Sequence, residues 1–155
     1  MMIAGSNAYT NNLSSNRSMK LNKNHSTECE IIAREFWNAT NVEVQMGDEY
    51  EFHAEGEWCD LTIRATAGGY ATEDAPWYSR WFLSLFEKRR RLPAENWFVL
   101  VGAIGKQAES AFVIGAGRQS WKATAAGELM CFANDVPGAY GNNFGSVTLT
   151  IKRLT

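Results

Sequence analysis

Cysteine and histidine are scarce in this chain, charge is nearly balanced, and no long hydrophobic run is present. Each shortage removes a class of protein. Cys29, Cys59 and Cys131 are odd in number, widely spaced and in no zinc-binding pattern. They therefore read as reduced, buried thiols rather than as a disulfide framework. Of two histidines, His53 falls on the polar side of an alternating segment with no partner nearby in sequence, so a solvated surface role is expected. A net charge of -2 gives no electrostatic case for general nucleic-acid binding. No apolar stretch approaches the roughly 20 residues needed to span a bilayer. Met1 to Ala4 are apolar, but the chain turns polar before a signal-peptide core could form. Cytoplasmic synthesis is the expectation, with non-classical export left open.

What is present is a chain long enough, at 155 residues, for one domain with its own core. Residues 1–28 are rich in Asn and Ser and poor in large apolar side chains, which predicts a flexible N-terminal tail. The domain is expected over 29–155. Ile31 to Trp37 reads as a strand interrupted at Asn38, and Val42 and Val44 alternate with Glu43 and Gln45. After a turn at Gly47-Asp48, Tyr50, Phe52 and Ala54 alternate with Glu51, His53 and Glu55, the period of a half-buried strand. Leu61 to Ala65 predicts a short strand. Phe98 to Gly105 is a nearly continuous apolar run suited to the middle of a packed sheet. Ala111–Ile114, Ser120–Ala123, Glu128–Phe132 and Ser146–Ile151 complete a set of short strands at about ten-residue spacing with glycine turns between them, which argues for an all-β sandwich or jelly roll. Gly115-Ala116-Gly117 lacks the third glycine and following helix of a dinucleotide loop.

Two stretches carry chemistry. Residues 72–97 are irregular; Asp74-Ala75-Pro76 can start a short helix, with Asp74 as its cap. Phe82, Leu85 and Phe86 are read as its packed face. Trp77, Tyr78 and Trp81 are either more of that face or an aromatic platform for a sugar ring. The basic run Lys88 to Arg91 reads as a solvated helix end. The second stretch is Asn134-Asp135-Val136-Pro137-Gly138-Ala139-Tyr140-Gly141-Asn142-Asn143, a doubled-back loop between two strands. Pro137-Gly138 favours a tight turn. Asp135, Asn142, Asn143 and main-chain carbonyls can aim hard oxygens at one point, as calcium requires. The same residue types populate any long hairpin loop, so composition leaves both readings open. Glu55, Glu57 and Asp60 raise a glycosidase alternative, which needs two carboxyls flanking a bond; a solvated rim at a strand end explains them equally well.

The order of residues in this loop, continued by Phe144-Gly145-Ser146, closely resembles the calcium and sugar loop of the PA-I-like galactophilic lectins, a family of small bacterial proteins. Gly47-Asp48, Ala54-Glu55-Gly56 and Ala103-Ile104-Gly105 occur in the family's order, so the resemblance runs from about Glu30 to Arg153 and is poor between Leu61 and Asn96. It implies a galactose-binding jelly-roll β-sandwich without enzymatic activity. It further implies that Asp135, Asn142 and Asn143 bind Ca2+ through side chains, Ala139 through its carbonyl, and a position near Asp60 through a carbonyl that this acidic residue could replace with a carboxylate. Sugar hydroxyls would complete the metal's shell, with Asp135, Val136, Asn142 and Asn143, and Trp77 and Trp81 from the middle segment, as the expected carbohydrate contacts. The family's sugar-contacting histidine has no counterpart here, since no histidine follows His53. The expectation is a lectin for galactose-like hexoses, weak as a monomer and strengthened where a homo-oligomer presents several sites. The competing expectation is a structural or protein-interaction sandwich whose calcium only orders the loop.

Overall fold

The computed structural model describes residues 17–155. Two antiparallel sheets face each other across an apolar core. The first is centred on β11 (Asn143–Arg153), the longest strand. β1 (Ser26–Ile32) pairs along one side of it. Along the other side run β3 (Glu49–Glu55) and then β4 (Glu57–Asp60), which share one path bent at Gly56. β9 (Gly117–Lys122) flanks β3, and β5 (Ile63–Thr66) flanks β4. The second sheet has the order β2 (Asn38–Val44), β10 (Gly127–Ala133), β7 (Trp97–Ile104) and β6 (Gly68–Tyr70), with β8 (Phe112–Val113) also on β7. The β-sandwich is thus as expected, and the reason is legible: β3 buries Tyr50, Phe52 and Ala54 while every residue of β7 is buried.

The core joins both sheets through Trp58, Phe98, Leu100, Leu129, Leu149 and Ile151, all essentially fully buried. β6 approaches β7 so closely that a Cβ on Gly69 would lie 2.2 Å from the Trp97 carbonyl oxygen. Gly69 also has φ +70°, so glycine is required there on both counts. Opposite it, Phe98 sits at φ 59°.

Three expectations need correction. The fold begins before Cys29: Leu21 is in the core, Met19 bridges Val42, and Ser26 to Glu28 pair with β11. The polar sequence hid this because an outer strand needs only backbone pairing and one inward face. Residues 1–16 lie outside the described residues. The strand expected over Ile31–Trp37 ends at Ile32, and Asn38 starts β2 instead of interrupting a strand, its side chain bonding both the amide and the carbonyl of Ile32. The helix in the middle segment, α1, spans Trp77–Phe86. Pro76, not Asp74, occupies its N-cap, while Asp74 lies in a preceding single turn (Thr72–Asp74). Cys59 and Cys29 are half-buried and Cys131 is buried, and all three are free thiols.

Candidate functional site

All five of the expected ligand residues, Asp60, Asp135, Ala139, Asn142 and Asn143, lie at one end of the sandwich. β4 and β11 are paired in register there, with Asn143 opposite Asp60. The β10–β11 loop folds back over this pairing. Its turn forms as expected, with the Ala139 amide donating to the Val136 carbonyl at 2.9 Å around Pro137-Gly138. A single turn of 3-10 helix at Tyr140–Asn142 then delivers the chain into β11.

The loop is tied down by residues that carry no ligand oxygen. Asn134, fully buried, accepts from the Leu92 amide and donates to the carbonyls of Leu92 and Asn96. The Arg91 amide donates to the Asp135 carbonyl at 3.0 Å, and the Arg91 guanidinium donates to the Tyr140 hydroxyl at 3.1 Å. That guanidinium stacks 3.3 Å from the Phe132 ring centre and 3.9 Å from that of Phe36. The basic run is therefore not solvated throughout, as its sequence suggests: Arg91 is an internal clamp between the middle segment and the loop. Tyr140 in turn donates to the Ala133 carbonyl at 2.6 Å.

Inside this frame the carboxylates are held under protein. Asp135 is 1% exposed. Its Oδ1 accepts from the Val136 amide at 2.7 Å and its Oδ2 from Asn143 Nδ2 at 3.0 Å. Asp60 is buried and its Oδ2 accepts from the Tyr70 hydroxyl at 2.6 Å. Among the described residues no Lys, Arg or His forms an ion pair with either acid. Burial, and then the charge of Asp60, push the Asp135 carboxyl up to about 6. Burial likewise raises Asp60. Glu55 and Glu57 stay outside on the rim, Glu55 with His53 at 2.9 Å and Glu57 with Arg64 at 3.7 Å. These two match the solvated reading of that acidic cluster.

Asn143 supplies the most telling atom. Its Nδ2 donates to both the Ala33 carbonyl and Asp135 Oδ2, which fixes the orientation of the amide. Its Oδ1 is then buried with no hydrogen-bond partner. A buried acceptor without a donor costs about 1–3 kcal/mol. Such an atom beside two buried, unneutralised carboxylates fits a hard dication. Asp60, Asp135, Asn143 Oδ1, the Asn142 side chain and the Ala139 carbonyl are the oxygens that would hold it.

A cavity of about 310 Å³ opens beside these oxygens. Asp60, Asp135, Ala139 and Asn142 form its polar side, and Val136 also lines it. The opposite side is apolar and comes from Phe82, Phe86 and Trp97. Trp77 and Trp81 do not line this cavity. Trp81 borders a separate groove with Thr72, Arg80 and Glu87, and Trp77 is 80% exposed. Phe82 and Leu85, expected on the packed face of the helix, are 57% and 55% exposed, and Phe82 faces the cavity. The i, i+4 spacing of Phe82 and Phe86 shows that they share a face; it cannot show what that face meets. Tyr70, which steadies Asp60, has no sequence signal beyond an aromatic after two glycines.

No family model and no curated protein matches the sequence. Solved structures do match in shape. One is described as "EclA N-terminal domain; PllA-like lectin" and superposes with a TM-score of 0.59 over 81% of this chain and 94% of that domain, at 17% identity. The chain shares the fold of that domain, which bears out the β-sandwich expected from strand spacing.

Proposed function

We propose that this protein is a calcium-dependent carbohydrate-binding protein, without enzymatic activity, whose site is the cavity between the β10–β11 loop and α1. The observation that carries the reading is the partnerless, buried Asn143 Oδ1, on a side chain bonded to Asp135, next to a cavity that Asp60 and Asp135 line together with the rings of Phe82, Phe86 and Trp97. A monosaccharide has the same division, with hydroxyls that can complete a calcium shell and C–H faces that pack on aromatic rings. The likeness in fold to a lectin domain supports it. Galactose is the first sugar to test, on the resemblance of the loop. The family's histidine is missing, and Phe82 stands at the cavity where a different contact to the ring would be made.

A sandwich whose calcium only orders the loop is the competing reading. It has little to explain here, because Asn134, Arg91 and Tyr140 already fix the loop through protein hydrogen bonds. Thermal unfolding in chelator, in calcium, and in calcium with galactose separates the two. A ligand at 100 times its dissociation constant adds about 2.7 kcal/mol, several degrees for a domain of this size. Two successive shifts are expected. Calcium without any hexose shift, across galactose and its epimers, would leave only the structural reading. Phe82→Ala should abolish the sugar shift and retain the calcium shift. Nitrophenyl glycosides should not turn over; turnover lost on changing Asp60 or Asp135 would make the site a hydrolase instead.

A further inference from the structure

α1 carries half of the cavity's apolar wall but has little burial of its own to hold it. Of its ten residues only Leu83 is buried, with Phe86 partly buried against the core. Yet Phe82 and Phe86, whose ring centres lie 4.7 Å apart, form the apolar side of the cavity together with Trp97. Trp97 reaches the cavity from another element. It opens β7, is 2% exposed and pairs with Tyr70 in the second sheet. A wall built from a sparsely anchored helix and a sheet residue keeps its shape only if something ties the two together.

The tie is a chain of two hydrogen bonds through Thr72. Thr72, in the turn before α1, accepts from Trp97 Nε1 at 3.0 Å. The same hydroxyl donates to Glu87 Oε1, in the turn after α1. A hydroxyl can donate and accept at the same time, so Thr72 serves both neighbours at once. The chain runs from the sheet to the start of the helix and across to its end, which sets the two flanking turns side by side. Two further bonds fix the first turn: Arg80 Nε donates to the Ala75 carbonyl and Ser79 Oγ to the Pro76 carbonyl, both at 2.8 Å. Neither Thr72 nor Glu87 lines the cavity; both border the separate groove with Arg80 and Trp81. Any effect they have on a sugar in the cavity therefore passes through Trp97 and α1. The oxygen side of the cavity is held by other residues, Asn134, Arg91 and Tyr140.

We propose that Thr72 and Glu87 are positioning residues for sugar recognition, a strap across the two ends of α1 that sets Phe82 and Phe86 against Trp97. The proposal rests on the carbohydrate reading of this cavity. With the strap closed the wall is formed before the ligand arrives, so binding does not have to order it. With the strap broken, α1 leaves Trp97 in part of the molecules, and the apparent affinity scales with the fraction in which the wall is complete. A wall complete in about a tenth of the molecules lowers it about tenfold. Thr72→Val keeps the side chain's shape and removes both bonds, which leaves the Trp97 N–H without its acceptor. The calcium oxygens lie on the other side of the cavity and keep their own supports. The site thus has two separately held halves, one for the metal and one for the apolar face of the sugar.

The test joins hydrogen exchange of the metal-free full chain with calorimetric titration of calcium, and of galactose, glucose and mannose in saturating calcium. In Thr72→Val and in Glu87→Ala, exchange over residues 82–86 should speed up while the β10–β11 loop is unchanged. Calcium affinity should stay within about twofold and hexose affinity should fall about tenfold or more. Thr72→Ser keeps the hydroxyl and should restore both the slow exchange and the hexose affinity. Unchanged exchange in both variants overturns the strap, whatever the chain binds. Faster exchange with hexose affinity unaltered overturns the positioning role. An equal loss of calcium affinity overturns it too, since that would be a general loosening of the domain. A wild-type chain that binds calcium and none of the three hexoses removes the carbohydrate reading, and the role in recognition with it, while the exchange result still stands for or against the strap.

Discussion

The pH dependence of the calcium-free protein is the sharpest consequence of the site. Asp135 has its carboxyl lifted from 3.8 to about 6 because ionisation leaves a buried charge next to Asp60. The folded state therefore binds more protons than the unfolded state between those two values. Stability must fall as pH rises through this window, and the neutral form keeps its full benefit below about 3.8. At 1.36 kcal/mol per pH unit, the penalty above about pH 6 is about 3 kcal/mol. For a domain of this size that corresponds to about 6–12 °C in melting temperature. Asp60 acts in the same direction, since burial raises it as well. On the proposed function, calcium would reverse the sign, because the ion must displace the protons that acidification supplies. Its apparent affinity should drop about tenfold per pH unit below about 6. The assay is thermal unfolding from about pH 4.5 to about 7.5, in chelator and in fixed calcium. The calcium increment at each pH serves as the internal control against titration of other acids. A chelator-treated protein whose Asp135-linked stability rises towards neutral pH would refute the reasoning. An equal calcium increment at about pH 5 and about pH 7 would refute it too.

Other perturbations test the frame around the site. Leu61, at the tip of the β4–β5 hairpin, holds φ 54°. Leu61→Gly should stabilise the protein by about 0.5–1 kcal/mol, because an L-residue in the left-handed region costs about 1–2 kcal/mol and glycine regains part of that; a lower melting temperature would show that the Leu61 side chain holds the hairpin. Asn143→Ala should remove the calcium increment. In chelator the loss of its donor to the Ala33 carbonyl and Asp135 Oδ2 is offset by removal of the partnerless Oδ1, so urea unfolding should show a net change of only about 1 kcal/mol. Arg91→Met keeps the packing against Phe132 but loses the bonds to the Phe36 carbonyl and the Tyr140 hydroxyl, so a loss of about 2–3 kcal/mol is expected. Hydrogen exchange of the β10–β11 loop should speed up in that variant, and unchanged exchange would remove Arg91 from its role as clamp.

Much of the fold is legible in the sequence where one physical signal dominates. Period-2 alternation marks β3, a continuous apolar run marks β7, and Pro137-Gly138 marks the turn that folds the loop back. The start of the domain is not legible, because β1 presents few apolar side chains and its place beside β11 rests on backbone pairing that composition does not record. Residue type nominates Asp135, Asn142 and Asn143 as oxygen donors, and the resemblance of the loop adds Ala139 and Asp60. Only the pairing of β4 with β11 brings residue 60 and the loop to one cavity, more than seventy positions apart in the chain.

Around α1 the division is clearest. The 3.6-residue period shows that Trp77, Trp81 and Leu85 share a stripe and that Phe82 and Phe86 share another. A period has no sign, however: it states which residues share a face and not which face meets the sandwich. It took the packed chain to turn Leu83 inward instead of the tryptophans, to bring Phe82 to the cavity, and to set Arg91 among aromatic rings instead of in water. The sandwich and the oxygen-rich loop follow from residue order alone, because alternation and turn chemistry are local. Direction, burial of charge and the company of each side chain are set by strands distant in sequence, and those come into contact only when the chain folds.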